Sequence, residues 1–491
     1  MRFSLRGAAF PMERMSTGNP NLDLILGGGI PVYSVNVICG PPGAGKTVLT
    51  QQMMFHNATP EHKALYLTTL SEPQIKVLRY QQQFTYFDPD KVGSAVFFYD
   101  IGSVVRQEGL TATTQTIVNF IKEVQPEFVA IDSFKAIHDL APSPPELRQF
   151  VYDLAVKMAG WRCTTFLVGE YAPHQIQEEP EFAIADGVIQ LEHLLEGDHP
   201  RRFLQVVKMR GTNYLDGKHS FDITADGLAI YPARLAAPPT RELEATYCVP
   251  YGVPELDSIL GGGFPVGTHV VVAGPAGAGK TIFSLEYAIN GALLYGDRAA
   301  LFLFEETLSQ IRALAQSFAW DLSRLEQENL LRLCYSPLTD INLDAYLQFM
   351  QSTIQELGVK RVVIDSLPAF LHPAGDDIHL VSEKISQLTA MLRALGCTTV
   401  STTRLRPGSS NLSYYGVEEA LADGLILLST TPRGAQRKRT IEVHKLRGAN
   451  PVMGEHRLQI TSSGIRVFYT GRPPEPTSPE PPRNEENHLS P

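Results

Sequence analysis

A lysine followed by a threonine closes a glycine-rich octapeptide twice in this chain. The first copy is Gly40-Pro41-Pro42-Gly43-Ala44-Gly45-Lys46-Thr47, and the second, 234 residues on, is Gly274-Pro275-Ala276-Gly277-Ala278-Gly279-Lys280-Thr281. Both fit the phosphate-binding P-loop pattern. Gly40, Gly43 and Gly45, like Gly274, Gly277 and Gly279, let backbone N–H groups turn inward around a polyphosphate. Lys46 and Lys280 have the reach for the β- and γ-phosphates, and the Thr47 and Thr281 hydroxyls suit Mg²⁺. The expected ligand is a nucleotide polyphosphate with Mg²⁺.

Other residues have the chemistry to complete such a site. Asp132 and Asp365 each end an apolar run, Phe128–Ile131 and Arg361–Ile364. An acid leaving the carboxyl end of a strand can support Mg²⁺ opposite the P-loop threonine; alone it would read as a helix cap. Glu305 and Glu306 follow the run Ala300–Phe304 directly. Paired glutamates are commonly solvated surface charge, but at a strand end they can orient or deprotonate an attacking water. The corresponding stretch of the first half, Thr69-Leu70-Ser71-Glu72, has one carboxylate, displaced by one or two residues. Lys208 with Arg210, and Lys445 with Arg447, stand two apart on expected strands, so each pair shares a face. They read as solvated cations or as contacts to a γ-phosphate, supplied in trans if that phosphate belongs to a neighbouring subunit. Arg433, Arg437, Lys438 and Arg439 form the one dense basic run, read as a turn before a strand Thr440–His444.

The elements that must position these groups come as a duplication. Gly27-Gly28-Gly29 and Gly261-Gly262-Gly263 each begin 13 residues before a P-loop, and Lys208-Met209-Arg210-Gly211 matches Lys445-Leu446-Arg447-Gly448. In each half, short Val/Ile/Leu/Phe runs alternate with amphipathic stretches. That pattern implies an α/β fold with a mainly parallel sheet covered on both faces, closed by an antiparallel hairpin around Arg202–Met209 and Ser220–Thr224. Domain one is expected over 15–231, a Pro-containing linker over 232–246 and domain two over 247–469. The tail from 470 holds seven prolines within 471–491 and little apolar bulk, the composition of a disordered segment. Apolar residues make up 43% of the 491, enough for a full core in each half. A net charge of −10 speaks against a generally basic, nucleic-acid-coating surface. The five cysteines show no metal-binding spacing and read as buried apolar residues in a reducing compartment. No secretory signal or membrane-length apolar run is read, which leaves a soluble, cytoplasmic protein with no membrane partner.

Together these motifs resemble the KaiC family, tandem RecA-like P-loop ATPases related to the cyanobacterial clock protein. The carrying residues are the phrases Thr17-Gly18-Asn19-Pro20-Asn21-Leu22-Asp23 and Tyr251-Gly252-Val253-Pro254-Glu255-Leu256-Asp257, both P-loops, Asp132-Ser133 and Asp365-Ser366, Phe304-Glu305-Glu306-Thr307, and the two K-x-R-G segments. The resemblance implies a ring, typically a hexamer, with ATP between subunits and Lys208/Arg210 and Lys445/Arg447 on the neighbour's nucleotide. Three departures stand out. Domain one lacks the glutamate pair that the clock protein carries in both halves, so hydrolysis is expected mainly in domain two. Glu419 and Ala420 stand where that protein's phosphorylated Ser and Thr would precede Asp423. The Pro-rich tail differs from the segment that binds the clock's activating partner. The leading expectation is thus a regulatory or signalling ATPase with an unknown signalling partner. The alternatives are a Ser/Thr autokinase with relocated acceptors such as Ser409, Ser410 or Ser413, a non-catalytic nucleotide-dependent partner switch, and, least favoured, a DNA motor.

Overall fold

Alternation along the apolar runs decides which face of a sheet each side chain covers. In the first half, Ile38, Tyr66, Ala130 and Phe166 enter one core cluster, while Val37, Leu65, Val129 and Leu167 enter another. The computed structural model describes residues 12–69, 74–196, 199–233, 247–337, 342–406, 411–433 and 436–469. The linker beyond 233, the tail from 470, Glu72, Ser409 and Ser410 lie outside the described residues. The chain divides between 234 and 235 into two units.

The first unit carries a nine-stranded sheet in the order Gly227–Tyr231, Lys218–Thr224, His199–Met209, Gly187–Glu196, Val35–Cys39, Thr164–Gly169, Phe128–Asp132, Ala64–Thr68, Val96–Asp100. The six strands from Gly187–Glu196 to Val96–Asp100 run parallel, and the remaining three are added antiparallel. Helix Lys46–Asn57 packs Leu49, Met53 and Met54 on one face, and helices Gly109–Val124 and Pro144–Gly160 cover the other with Ile117, Ile121, Leu147 and Leu154. Each such fully buried aliphatic side chain contributes about 1.5–3 kcal/mol.

The second unit repeats the order strand for strand: Leu331–Tyr335, Ala299–Leu303, Arg361–Asp365, Thr398–Arg404, His269–Gly274, Gly424–Arg433, Gln436–Leu446, Glu455–Thr461, Gly464–Phe468. These are tandem RecA-like units with antiparallel hairpin strands at one edge. The expected terminal hairpin is part of a longer meander in both. The expected turn at the basic run is corrected: Arg437, Lys438 and Arg439 pair with Pro432, Thr431 and Thr430 inside the strand Gln436–Leu446. Its partner Gly424–Arg433 is nearly as long, so the ladder continues through the charged residues.

The two cores differ at one buried position. Arg361 opens the strand that ends in Asp365, where the first unit has Phe128. Its guanidinium is fully buried, donates from Nε to Asp297 at 3.0 Å and from Nη1 to the Pro250 and Tyr287 carbonyls at 2.8 and 3.2 Å, and lies 4.8 Å from the Tyr287 ring centroid. Phe128 instead stacks on Phe166 at 4.8 Å. Among the cysteines, Cys39, Cys163, Cys334 and Cys397 are buried and Cys248 is half-buried. No helix among the described residues is long and apolar enough to cross a membrane.

Candidate functional site

Each P-loop leaves the carboxyl end of a central, wholly buried strand, Val35–Cys39 or His269–Gly274, and runs into a helix that begins at its lysine. Glycine is needed there for two different reasons. A Cβ on Gly40 would lie 2.1 Å from the Leu191 carbonyl oxygen, so close backbone approach excludes any side chain. Gly43 and Gly277 have open space but φ of +71° and +75°, a left-handed conformation that L-residues rarely adopt.

In the first unit, Lys46 Nζ folds back onto the carbonyls of Gly40 and Pro41 at 3.0 and 2.8 Å. Burial lowers its pKa, against the pull of Glu170 and then Asp132. Thr47 Oγ1 donates to Asp132 Oδ2 at 2.7 Å, and the Tyr66 hydroxyl donates to the same oxygen at 2.5 Å. The P-loop and Asp132 thus face one another across a cavity of about 580 Å³ that Ser133 and Glu170 also line. That volume lies within the range of small-molecule sites. The threonine–aspartate oxygen pair is the donor set that a hard, oxygen-loving cation such as Mg²⁺ needs when phosphates and water complete its shell.

In the second unit, Lys280 Nζ makes the same contacts to Gly274 and Pro275, at 2.9 and 3.1 Å. Thr281 lies 3.5 Å from Glu306 Oε1, and the Ser366 hydroxyl donates to Glu305 Oε1 at 3.2 Å. Asp365 is buried and accepts from Thr402 through Oδ1; its buried Oδ2 has no hydrogen-bond partner among the described residues, as a carboxylate awaiting a cation's shell would. Burial pushes the Asp365 carboxyl above its usual range. Burial, with Asp365 and Glu305 adding to it, raises Glu306 to about 7. A carboxylate titrating there suits proton transfer near neutrality. Among the described residues no cluster of three or more His, Cys, Asp or Glu could hold a metal ion on its own.

The chain therefore brings together Lys46, Thr47 and Asp132, and likewise Lys280, Thr281, Asp365, Glu305 and Glu306. It keeps the four other cations apart from these clusters. Lys208 Nζ caps the carbonyls of Phe182, Ala183 and Ala185 at 3.3, 3.3 and 2.6 Å, and Lys445 Nζ caps those of Glu419, Ala420 and Ala422 at 3.1, 3.5 and 2.7 Å. Those carbonyls precede the strands Gly187–Glu196 and Gly424–Arg433, on the amino-terminal side of the sheet, whereas the P-loops leave its carboxyl side. The strands end at Met209 and Leu446, so Arg210 and Arg447 lie in the turns beyond them and do not share a strand face with their lysines as expected; exposed Arg210 pairs with Asp186 at 3.3 Å, and Arg447 is exposed. The amide N–H of Thr69 donates to the Asp132 carbonyl as that of Phe304 does to Asp365. Counting onward places Leu70 and Ser71 at the register of Glu305 and Glu306, with Glu72 one residue later.

Sequence reasoning missed two residues that the fold brings to this cavity. Tyr66 sits mid-strand, where a tyrosine reads as core. Glu170 directly follows the strand Thr164–Gly169, and only its place at the end of an apolar run could have signalled it.

A family model described as ATPase: KaiC matches residues 15–234 and again 249–472. The chain is 26% identical over 478 residues to the circadian clock oscillator protein KaiC of Picosynechococcus sp., covering 94% of this chain and 91% of that one. It is also 26% identical over 469 residues to proteins of the same name from Rippkaea orientalis and Nostoc sp., in each case covering 93% of this chain and 89% of the relative.

Proposed function

This chain belongs to the KaiC ATPase family, and we propose that it hydrolyses ATP mainly in its second domain, within a ring of identical subunits that serves a regulatory or signalling role in the cytoplasm. The observation that carries the proposal is the strand-end pair Glu305 and Glu306 beside Thr281 and Asp365, a set that the first domain lacks.

In this reading the inward-facing amides of Gly274–Gly279 and the Lys280 ammonium bind the β- and γ-phosphates. Lys280 exchanges its two loop carbonyls for phosphate oxygens. Thr281 and Asp365 would hold Mg²⁺, which when bound neutralises charge developing on the phosphates. Glu306 takes a proton from water while Glu305, tethered by Ser366, orients it. Lys445 and Arg447, aimed away from their own P-loop, fit contact with a neighbouring subunit's nucleotide, and Lys208 and Arg210 do the same in the first ring. A hexamer is the expected assembly.

The test is phosphate release by the full chain with Mg²⁺ and ATP. In a full chain whose first P-loop is silenced by Lys46→Ala, Glu305→Gln with Glu306→Gln should lower turnover about 100-fold, the usual worth of general-base catalysis, with nucleotide binding in the second domain retained. Unchanged turnover sinks the assignment. The same time course, followed with γ-labelled ATP, decides the autokinase alternative by whether label accumulates on the protein. The Ser413 hydroxyl is buried and donates to Glu418 at 2.8 Å, a poor position for a phosphate acceptor.

A further inference from the structure

The first domain has lost the glutamate pair, yet its cavity still contains a carboxylate aimed at the P-loop lysine. Glu170 Oε1 lies 3.9 Å from Lys46 Nζ, and Glu170 lines the cavity with Thr47, Asp132 and Ser133. Its strand, Thr164–Gly169, runs between the P-loop strand and the strand that ends in Asp132. Gly169 pairs with Cys39, so Glu170 follows at the level of Gly40, the first residue of the loop.

The segment that carries Glu170 is held on both sides. A Cβ on Gly169 would meet the Tyr171 ring at 2.4 Å and Lys135 at 3.1 Å. The Tyr171 ring is buried, and its hydroxyl donates at 2.5 Å to Glu181, a fully buried carboxylate that also meets His138 Nδ1 at 2.9 Å. Glu170 itself stays 56% exposed, free to face a ligand.

The second domain shows the reverse charge arrangement. Gly274 pairs with Arg404, so the position of Glu170 is taken by a guanidinium, which lies 4.9 Å from the Tyr414 ring centroid. One domain thus has glutamates after the third strand from the P-loop strand and a cation at the end of the adjacent one. The other has Leu70 and Ser71 in place of the glutamates in the sequence, and a carboxylate beside the loop. The acid has changed strands between the two sites rather than disappeared.

We infer that Glu170 is the water-activating carboxylate of the first domain, which therefore hydrolyses ATP as well as binding it. The water oxygen bonds to the γ-phosphorus. The bond from that phosphorus to the β–γ bridging oxygen breaks, and its electron pair leaves with ADP. The water proton passes to a Glu170 oxygen. Lys46, drawn off its loop carbonyls by the phosphates, releases Glu170 for this role.

This inference rests on the proposal that both P-loops bind ATP. The experiment uses the full chain with Glu305→Gln and Glu306→Gln, so that residual turnover reports the first domain. Phosphate release and bound fluorescent ATP analogue per chain are measured with and without Glu170→Gln, and with Glu170→Asp. The expected result is a residual turnover that falls at least tenfold in Glu170→Gln, recovers in part in Glu170→Asp, and leaves binding and KM within threefold. No residual turnover, or residual turnover indifferent to Glu170→Gln, overturns the inference while leaving ATP binding intact. Loss of turnover together with equal loss of binding also overturns it, since Glu170 would then only anchor Lys46. Absence of analogue binding that Lys46→Ala removes would instead sink the ATP-binding reading beneath it.

Discussion

Glu286 should make the second domain less stable as pH rises, and Glu286→Gln should abolish that loss. Glu286 lies on the P-loop helix Lys280–Tyr295, where burial raises its carboxyl from 4.5 to about 7. Its Oε2 accepts the amide N–H of Ile465 at 2.8 Å and so ties the terminal strand Gly464–Phe468 to that helix. The first domain performs the same task without a charge: Gln52 Oε1 accepts the Leu228 amide at 3.0 Å. Because the folded chain holds a proton on Glu286 that the unfolded chain releases, the folded state binds more protons between pH 4.5 and about 7. Stability contributed by this group is therefore complete below 4.5 and lost by the time pH has passed about 7. At about 1.4 kcal/mol per pH unit, the loss has a ceiling of about 3 kcal/mol. For a domain of this size that corresponds to about 6–12 °C in Tm. The chain has two tryptophans, exposed Trp161 in the first domain and half-buried Trp320 in the second. A Trp161→Phe background lets fluorescence follow the second domain alone. The glutamine variant should melt close to its parent at pH 5 and about 6–12 °C above it at pH 8. A variant-minus-parent difference that stays constant between those pH values would refute the reasoning, because all other titrating groups cancel in it.

Two further outcomes follow from the same geometry. Since Glu306 sits near 7 and acts as a base only when charged, second-domain phosphate release should rise about tenfold per pH unit below about 7 and level off above it, and Glu306→Gln should flatten the profile. Gly464→Ala places a Cβ 2.3 Å from Glu286 Oε1 at a φ of +111°. It should cost about 1–3 kcal/mol in denaturant unfolding followed through Trp320, more than Gly454→Ala, where φ is +108° and the space is open.

Legibility followed the nature of each constraint. The P-loops, Asp132, Asp365 and the glutamate pair were readable because backbone geometry and phosphate chemistry demand fixed residue types at fixed spacing. The parallel strands were readable because burial on both faces leaves continuous apolar runs. Glu170 and Tyr66 were hidden because their places beside the P-loop depend on which strand lies beside which. Strand order is a property of pairing between segments more than 100 residues apart, as with Val35 and Thr165. The basic run was misplaced at its start because local charge suggests a turn, while a long partner strand enforces pairing. Lys208 and Lys445 were expected to share a strand face with their arginines, but the strands stop one residue short of them, and the backbone carbonyls that the lysines cap carry no side-chain signature.

Arg361 has a consequence for how the chain reaches its fold. Two halves with one strand order present each other with interchangeable slots, and a nascent chain of this kind is exposed to pairing a strand with the wrong half's sheet. A strand beginning with Arg361, inserted where Phe128 belongs, would bring a guanidinium without Asp297 to the matching Ser16 and Met53 carbonyls, which Asn57 Nδ2 already occupies at 2.8 and 2.7 Å. Stranding such a charge costs several kcal/mol, whereas the correct slot satisfies it. The buried arginine therefore sets the two sheets apart energetically: its strand fits its own half better than the half whose backbone has the same order.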